Sequence, residues 1–325
     1  MRRAVTVLLA VTLGACASDG GGAPAAPSAP AASAPATSAP ATSASSPVGT
    51  SSTSSSTSLA ASTTTVPGCP GDPNAANTWA HLAYDGVDRT YLVTTPDAPS
   101  ASRRLVLNLH GWAGSAADTA ANTGLAPLAA AAGDVVITPD ALGEPREWNF
   151  PQDPARADDQ GFLHALIDDA LARYCVATGE VLLVGSSNGA AMVGLYACTD
   201  PRVVAVAMVI ATMPSTCPAG ATIPTVLSIR GTADTLVPYE GADDLVATWA
   251  TAAGCDVVPT TSEVWPGVER IEYGGCVDGQ RIALDTIRDG AHAWPGGLTA
   301  DRPDDSEAGR TYPAAQRIVD FFAAA

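Results

Sequence analysis

The chain has 325 residues and a formal net charge of −17, and every one of its 16 basic residues is arginine. An acidic surface of this size repels polyphosphate, which argues against nucleic acid as a partner. Its cysteines and histidines form no C-x-x-C pair and no cluster with zinc spacing, so neither a metal site nor another cofactor is expected.

Residues 1–16 read as an export signal. Arg2 and Arg3 supply a positive start, and Val5–Ala15 is apolar but too short to span a bilayer. Leu13-Gly14-Ala15-Cys16 resembles a bacterial lipobox, which would make Cys16 a lipidated residue and a lipid anchor the chain's only contact with a membrane. The alternative is ordinary secretory cleavage nearby. Residues 17–68 are almost wholly Ala, Pro, Ser, Thr and Gly, with Asp19 the only charge. Such a stretch has too little apolar surface to offset its ordering entropy, and it is expected to be a disordered tether. Residues 69–325 then form one catalytic domain of a size that supports a substantial core. The expected location is the cell surface, anchored at Cys16, or the extracellular medium.

Within that domain, short β-rich runs alternate with helical stretches. Strands are predicted at Thr90–Thr94, Leu105–Leu109, Asp134–Thr138, Val181–Gly185, Val203–Ile210, Thr225–Ile229 and Ile282–Ile287. Several are unbroken apolar runs, as expected of strands covered on both faces. Helices are predicted at Asp159–Tyr174, Ala190–Cys198, Tyr239–Ala252 and Pro313–Phe322. The alternation predicts an α/β fold with a mostly parallel sheet and helices on both faces. Six cysteines follow Cys16, namely Cys69, Cys175, Cys198, Cys217, Cys255 and Cys276; an even number in an exported domain predicts disulfides. Cys255 and Cys276 flank a short Gly- and Pro-containing excursion and are the first pair expected.

The sharpest chemical feature is Gly185-Ser186-Ser187-Asn188-Gly189, on a predicted strand-to-helix turn. Its spacing selects Ser187 as an exposed nucleophile, with small flanking residues where backbone segments approach closely. A serine hydroxyl needs a base to take its proton. His292, on a Gly- and Pro-rich loop after the last predicted strand, is the candidate; His81, expected to precede the first strand, and His164, within a helix, are read as structural. Asp234, just past the strand Thr225–Ile229, is the candidate acid, ahead of Asp243 and Asp244 in the following helix and Asp200 after the nucleophile helix. Asp234 would set the tautomer of His292. The backbone N–H groups of Asn188 and Trp112 are candidate donors to an oxyanion. His110, in Leu109-His110-Gly111-Trp112-Ala113-Gly114, is read as a turn-stabilising side chain.

Together these motifs resemble the bacterial esterase group that includes polyhydroxybutyrate depolymerases, feruloyl esterases and acetylxylan esterases, over Thr90 to Phe322. The resemblance is carried by His110–Gly114, Gly185–Met192, Gly231–Tyr239 and His292–Gly296. It implies the α/β-hydrolase fold and places nucleophile, acid and base on Ser187, Asp234 and His292. Two departures stand near the triad: Ala291 where the family usually carries glycine, and Arg230 where histidine often precedes Gly231. Only Ala211–Ile223 separates the two strands between which many such enzymes insert a cap, so no large lid is expected. An open cleft would admit a bulky or polymeric ester, with Trp112, Trp148 and Trp294 as candidate walls; for Trp148 a core position is an equal alternative. The expected activity is serine ester hydrolysis through an acyl-enzyme. Acyl transfer to an envelope sugar, or a non-catalytic surface binding module on a hydrolase fold, are the alternatives.

Overall fold

A computed structural model describes residues 75–97, 104–174, 176, 179–211, 217–218, 220–298 and 305–324. The export segment, Cys16 and the tether, together with Cys69 and Cys175, lie outside them. The elements in chain order are β1 (Thr78–Tyr84), β2 (Val87–Thr94), β3 (Leu105–Leu109), α1 (Ala116–Thr123), α2 (Leu125–Ala131), β4 (Val135–Pro139), α3 (Asp159–Arg173), β5 (Val181–Ser186), α4 (Asn188–Tyr196), β6 (Val203–Val209), β7 (Thr225–Gly231), α5 (Ala242–Ala252), β8 (Thr260–Trp265), β9 (Val268–Tyr273), β10 (Ile282–Ile287), α6 (Glu307–Thr311) and α7 (Ala314–Ala323).

Among the described residues ten strands form one sheet in the order β1-β2-β4-β3-β5-β6-β7-β10-β9-β8. Neighbours from β4 through β10 in this order pair in parallel, and antiparallel strands extend the sheet at both edges. Every predicted strand is present. Three strands were not predicted: β1, β8 and β9. Each is an edge element or its neighbour, with one face in solvent and few fully buried residues, so its apolar periodicity is weak. His81 therefore lies in β1 and not before the first strand, and it faces Asp88 of β2 at 3.2 Å. The β1–β2 turn is Asp85-Gly86, both at positive φ, the dipeptide that suits a tight hairpin.

The unbroken apolar runs of the central strands follow from cover on both faces. In β5, Val181 and Leu183 enter a cluster with Phe162 and Leu166 of α3 and Met192 of α4. Leu182 and Val184 point the other way, to Leu125 of α2 and Ile318 of α7. Disulfides join Cys198 to Cys217 and Cys255 to Cys276, the second being the expected pair. Among the described residues no helix lies between β6 and β7. None of the described helices is long and apolar enough to cross a membrane.

One buried ion pair ties β2 to the segments behind the site. Arg89 and Asp159 are 2% and 1% exposed, and Arg89 Nη2 meets Asp159 Oδ1 at 2.8 Å. The guanidinium also donates to the Asp140 carbonyl and lies 3.7 Å from the centre of the Phe162 ring. The second oxygen of Asp159 accepts from the Asn149 N–H. Removing one partner of such a pair strands a buried charge. Arg89→Met is expected to destabilise the protein by about 3–5 kcal/mol. Urea unfolding measures this, and a loss below about 1 kcal/mol would contradict the role given to the pair.

Candidate active site

The site begins at the turn from β5 into α4. Ser187 occupies it at φ 51° and ψ −119°, a left-handed conformation that a non-glycine residue holds only at a cost of roughly 1–3 kcal/mol. Its N–H is fixed by the Val209 carbonyl at 2.9 Å. The flanking glycines are required by contact. A Cβ on Gly185 would lie 2.5 Å from the Gly189 carbonyl oxygen, and one on Gly189 would lie 2.4 Å from that of His110. These contacts pull α4 against β5 and β3 and lift the Ser187 side chain above the sheet edge.

β7 and β10 are parallel neighbours, so the loops leaving them emerge side by side. Asp234 follows β7 and His292 follows β10. His292 Nδ1 lies 2.7 Å from Asp234 Oδ2, and His292 Nε2 lies 3.0 Å from Ser187 Oγ. The three side chains separated in sequence therefore meet in one chain of hydrogen bonds. Asp234 is 5% exposed, and its other oxygen accepts from the N–H groups of Leu236 and Val237 at 2.9 and 2.8 Å. Burial pushes its carboxyl up, but the hydrogen bond from His292 and those from Val237 and Leu236 outweigh burial and hold it below the ordinary carboxylate range. An ionised Asp234 only accepts, so the proton on His292 belongs on Nδ1 and leaves Nε2 to accept from Ser187.

The two loops are joined backbone to backbone. Ala233 N–H donates to the Gly290 carbonyl at 3.0 Å, and Thr232 N–H donates to that of Ile287. A Cβ on Gly231 would sit 2.2 Å from the Gly290 oxygen. Behind His292, Asp305 accepts from the Ala291 N–H at 3.0 Å. Asp305 and Arg230 both support the site, and sequence reasoning assigned neither a role: the groups they are seen to hold are backbone, which leaves no spacing to recognise. The rival acids are elsewhere engaged. Asp243 accepts from Tyr239 on the first turn of α5, which also carries Asp244, and Asp200 pairs with Arg202.

Asn188 is the first residue of α4, where an N–H has no partner within the helix and forms part of the positive end of its dipole. Its side-chain amide is held by the backbone of Trp148, accepting from N–H at 2.8 Å and donating to C=O at 3.2 Å. The His110–Trp112 turn passes beside the elbow, since a Cβ on Gly111 would lie 3.4 Å from that of Ser187. His110 is fully buried; its Nδ1–H donates to Gly111 O at 2.6 Å and its Nε2 accepts from Ala141 N–H at 3.0 Å. That is the turn-stabilising arrangement.

The three tryptophans part company. Trp112 is 62% exposed and stands on the rim of the cleft. Trp294 borders the cleft but is largely buried in the core beneath it. Trp148 is fully buried, donating from Nε1 to the His110 carbonyl at 3.0 Å. It props the His110–Trp112 turn from inside the core and does not border the cleft, which corrects the sequence expectation in favour of its alternative. The cleft above Ser187 has a volume of about 740 Å³. Trp112, Leu236 and Leu298 make an apolar rim, and Asp118, Thr119 and Asn122 of α1 make a polar wall.

Burial drives the His110 imidazole below its ordinary value, against the bond to Gly111 and the charge of Asp140. The unfolded residue titrates near about pH 6.5, so its contribution is complete above that pH and is lost as pH falls through the lower folded value. The urea midpoint is expected to fall between pH 7 and 5 more steeply for the native protein than for His110→Asn. Equal slopes would show that His110 does not stay neutral in the fold.

No family model matches the chain. It is 29% identical over 270 residues to "Putative esterase NocK" of Nocardia uniformis subsp. tsuyamanensis, covering 71% of this chain and 77% of that protein. It is 27% identical over 218 residues to feruloyl esterase B of Piromyces equi, covering 58% of this chain and 39% of the longer relative. Among solved structures, the acetyl xylan esterase from Aspergillus awamori superposes with a TM-score of 0.57 at 15% identity, over 76% of this chain and all of that one. The chain has the α/β-hydrolase fold and is similar in sequence to esterases.

Proposed function

We propose that this protein hydrolyses carboxylic esters through an acyl-enzyme. The observation that carries the reading is the continuous relay from the buried Asp234 carboxylate through His292 to the Ser187 hydroxyl. Ser187 Oγ attacks the ester carbonyl while His292 Nε2 takes its proton, and Asp234 stabilises the imidazolium that forms. The Asn188 and Trp112 N–H groups are assigned to the developing oxyanion. His292 then protonates the departing alkoxide. In the second half, His292 takes a proton from water, the hydroxide attacks the acyl carbonyl, and Ser187 leaves as its alcohol.

The open cleft supports a bulky or polymeric ester and gives water ready access for the second half-reaction, which favours hydrolysis over acyl transfer. Its apolar rim suits an acyl or aromatic group, and its polar α1 wall suits a hydroxyl-bearing alcohol. The names of the relatives, feruloyl esterase and acetyl xylan esterase, point to the same kind of ester. Two disulfides support an oxidising compartment, consistent with export under the segment ending at Cys16.

Ser187→Ala is expected to lose about a thousandfold or more in kcat on p-nitrophenyl esters, and a fluorophosphonate should label the native protein but not this variant. Retained turnover in Ser187→Ala would end the assignment. Trp112→Ala is expected to raise KM for feruloylated xylan about two- to tenfold more than for p-nitrophenyl acetate. Equal changes on both substrates would remove Trp112 from acyl or aromatic recognition.

A further inference from the structure

A buried arginine lies beneath the same site, on the strand that delivers the acid. Arg230 is the penultimate residue of β7 and is 1% exposed. Its Nη1 donates to the carbonyl of Ala211 at 2.9 Å, and its Nη2 donates to those of Val237 and Pro238 at 3.0 and 2.7 Å. The first carbonyl belongs to the chain leaving β6; the other two belong to the loop that carries Asp234. One planar fork therefore clamps two segments that touch nowhere in sequence.

Both segments shape the cleft. Ile210, next to Ala211, stands at φ 51° and borders the cleft above Ser187. A β-branched residue in that region is strained and persists only where its surroundings over-determine it. Its N–H is fixed by the Ile229 carbonyl at 2.9 Å, and Arg230 secures the next carbonyl along. On the other side, Leu236 and Val237 border the cleft, and the same two residues donate their N–H groups to Asp234. Holding the Val237 and Pro238 carbonyls thus holds the peptide that orients the Asp234 carboxylate.

We propose that Arg230 is a positioning residue for ester hydrolysis, setting the placement of Asp234 and of the strained Ile210–Ala211 turn by clamping their backbones together. The inference rests on the roles given above to Ser187, Asp234 and His292. Arginine suits this task because its fork presents several donors in fixed geometry and remains charged even when buried, whereas lysine offers a single point charge on a flexible stem. The charged and titratable groups facing Arg230 are Asp234 and Tyr239 on the acid loop, with His292 bonded to Asp234 and Asp243 of α5 bonded to Tyr239.

The test compares the full-length protein with Arg230→Met, Arg230→Lys and Ser187→Ala. A misplacement of about 1 Å at a catalytic group lowers rate about a hundredfold, so Arg230→Met is expected to lose about 10- to 100-fold in kcat with KM changed less than about threefold. Loosening the hold of Asp234 on His292 makes the imidazolium less favourable, so the acid limb of kcat/KM should move to lower pH. Arg230→Lys, able to reach some of the carbonyls, should recover part of kcat and move the limb back. A merely structural role would lower the melting temperature and leave kcat and the limb of the folded protein in place. A folded Arg230→Met with unchanged kcat, or a limb that stays or moves to higher pH, overturns the inference. Should Arg230→Met fail to fold, Arg230→Lys decides on the same readouts: a kcat and acid limb equal to the native ones overturn the proposal. Activity surviving in Ser187→Ala would instead sink the esterase mechanism, which keeps the two failures apart.

Discussion

The structure depends on how closely four loops can approach at one edge of a sheet. Ser187, His292 and Asp234 meet only if the turns carrying them touch, and here they touch through backbone. Gly185 lies against Gly189, Gly189 against the end of β3, and Gly231 against Gly290, each at a distance that a single Cβ would violate. The hydrogen bonds from Ala233 to Gly290 and from Thr232 to Ile287 then lock the acid loop to the base loop. The placement of His292 between Asp234 and Ser187 follows from these contacts more than from any property of the imidazole.

A second constraint is electrostatic. The chain carries an excess of acid and no lysine, yet several carboxylates are buried, and a buried carboxylate without donors is costly. Each is met by a specific partner. Asp159 has Arg89 and the Asn149 N–H. Asp285 is held by two nitrogens of Arg270 at 2.6 and 2.8 Å and by the Tyr312 hydroxyl. Asp234 has His292 and two backbone N–H groups. The third differs in kind, since its partner also faces the cleft and a serine hydroxyl. Arginines answer the same need on carbonyl groups, as buried Arg230 does beneath the acid loop and half-buried Arg104 does in joining Asp134 to the Phe322 carbonyl of α7.

The walls of the cleft above Ser187 divide by chemistry. The α1 side is polar; the side built from the turn after β3 and the acid loop is apolar and ends in exposed Trp112 and Leu236. Trp148 contributes from inside, where its indole holds the His110 carbonyl and its backbone holds the Asn188 amide, so two segments that flank the proposed oxyanion position share one buried support.

Much of this was legible in the sequence. The parallel core strands could be read because strands covered on both faces must be apolar throughout, and Ser187, Asp234 and His292 could be ordered because each stands beside glycines or prolines at a strand's end. The hairpins β1–β2 and β8–β9 escaped in part because half-exposed edge strands carry mixed polarity and leave little period to detect. Trp148 could not be separated from Trp112 by type, since exposure is a property of the packed molecule and not of the residue. Arg230 stood out only as a departure from the family pattern, and Asp305 not at all, because the groups they are seen to hold are backbone, which has no side-chain signature. By itself the sequence determined the alternation of strand and helix and the residue types at the sheet's carboxyl edge, since both are set by local periodicity and turn chemistry. Only the tertiary structure decided which of those residues lie within hydrogen-bond distance, because that depends on how the loops after β5, β7 and β10 pack across the chain, a matter of non-local contact that no local pattern encodes.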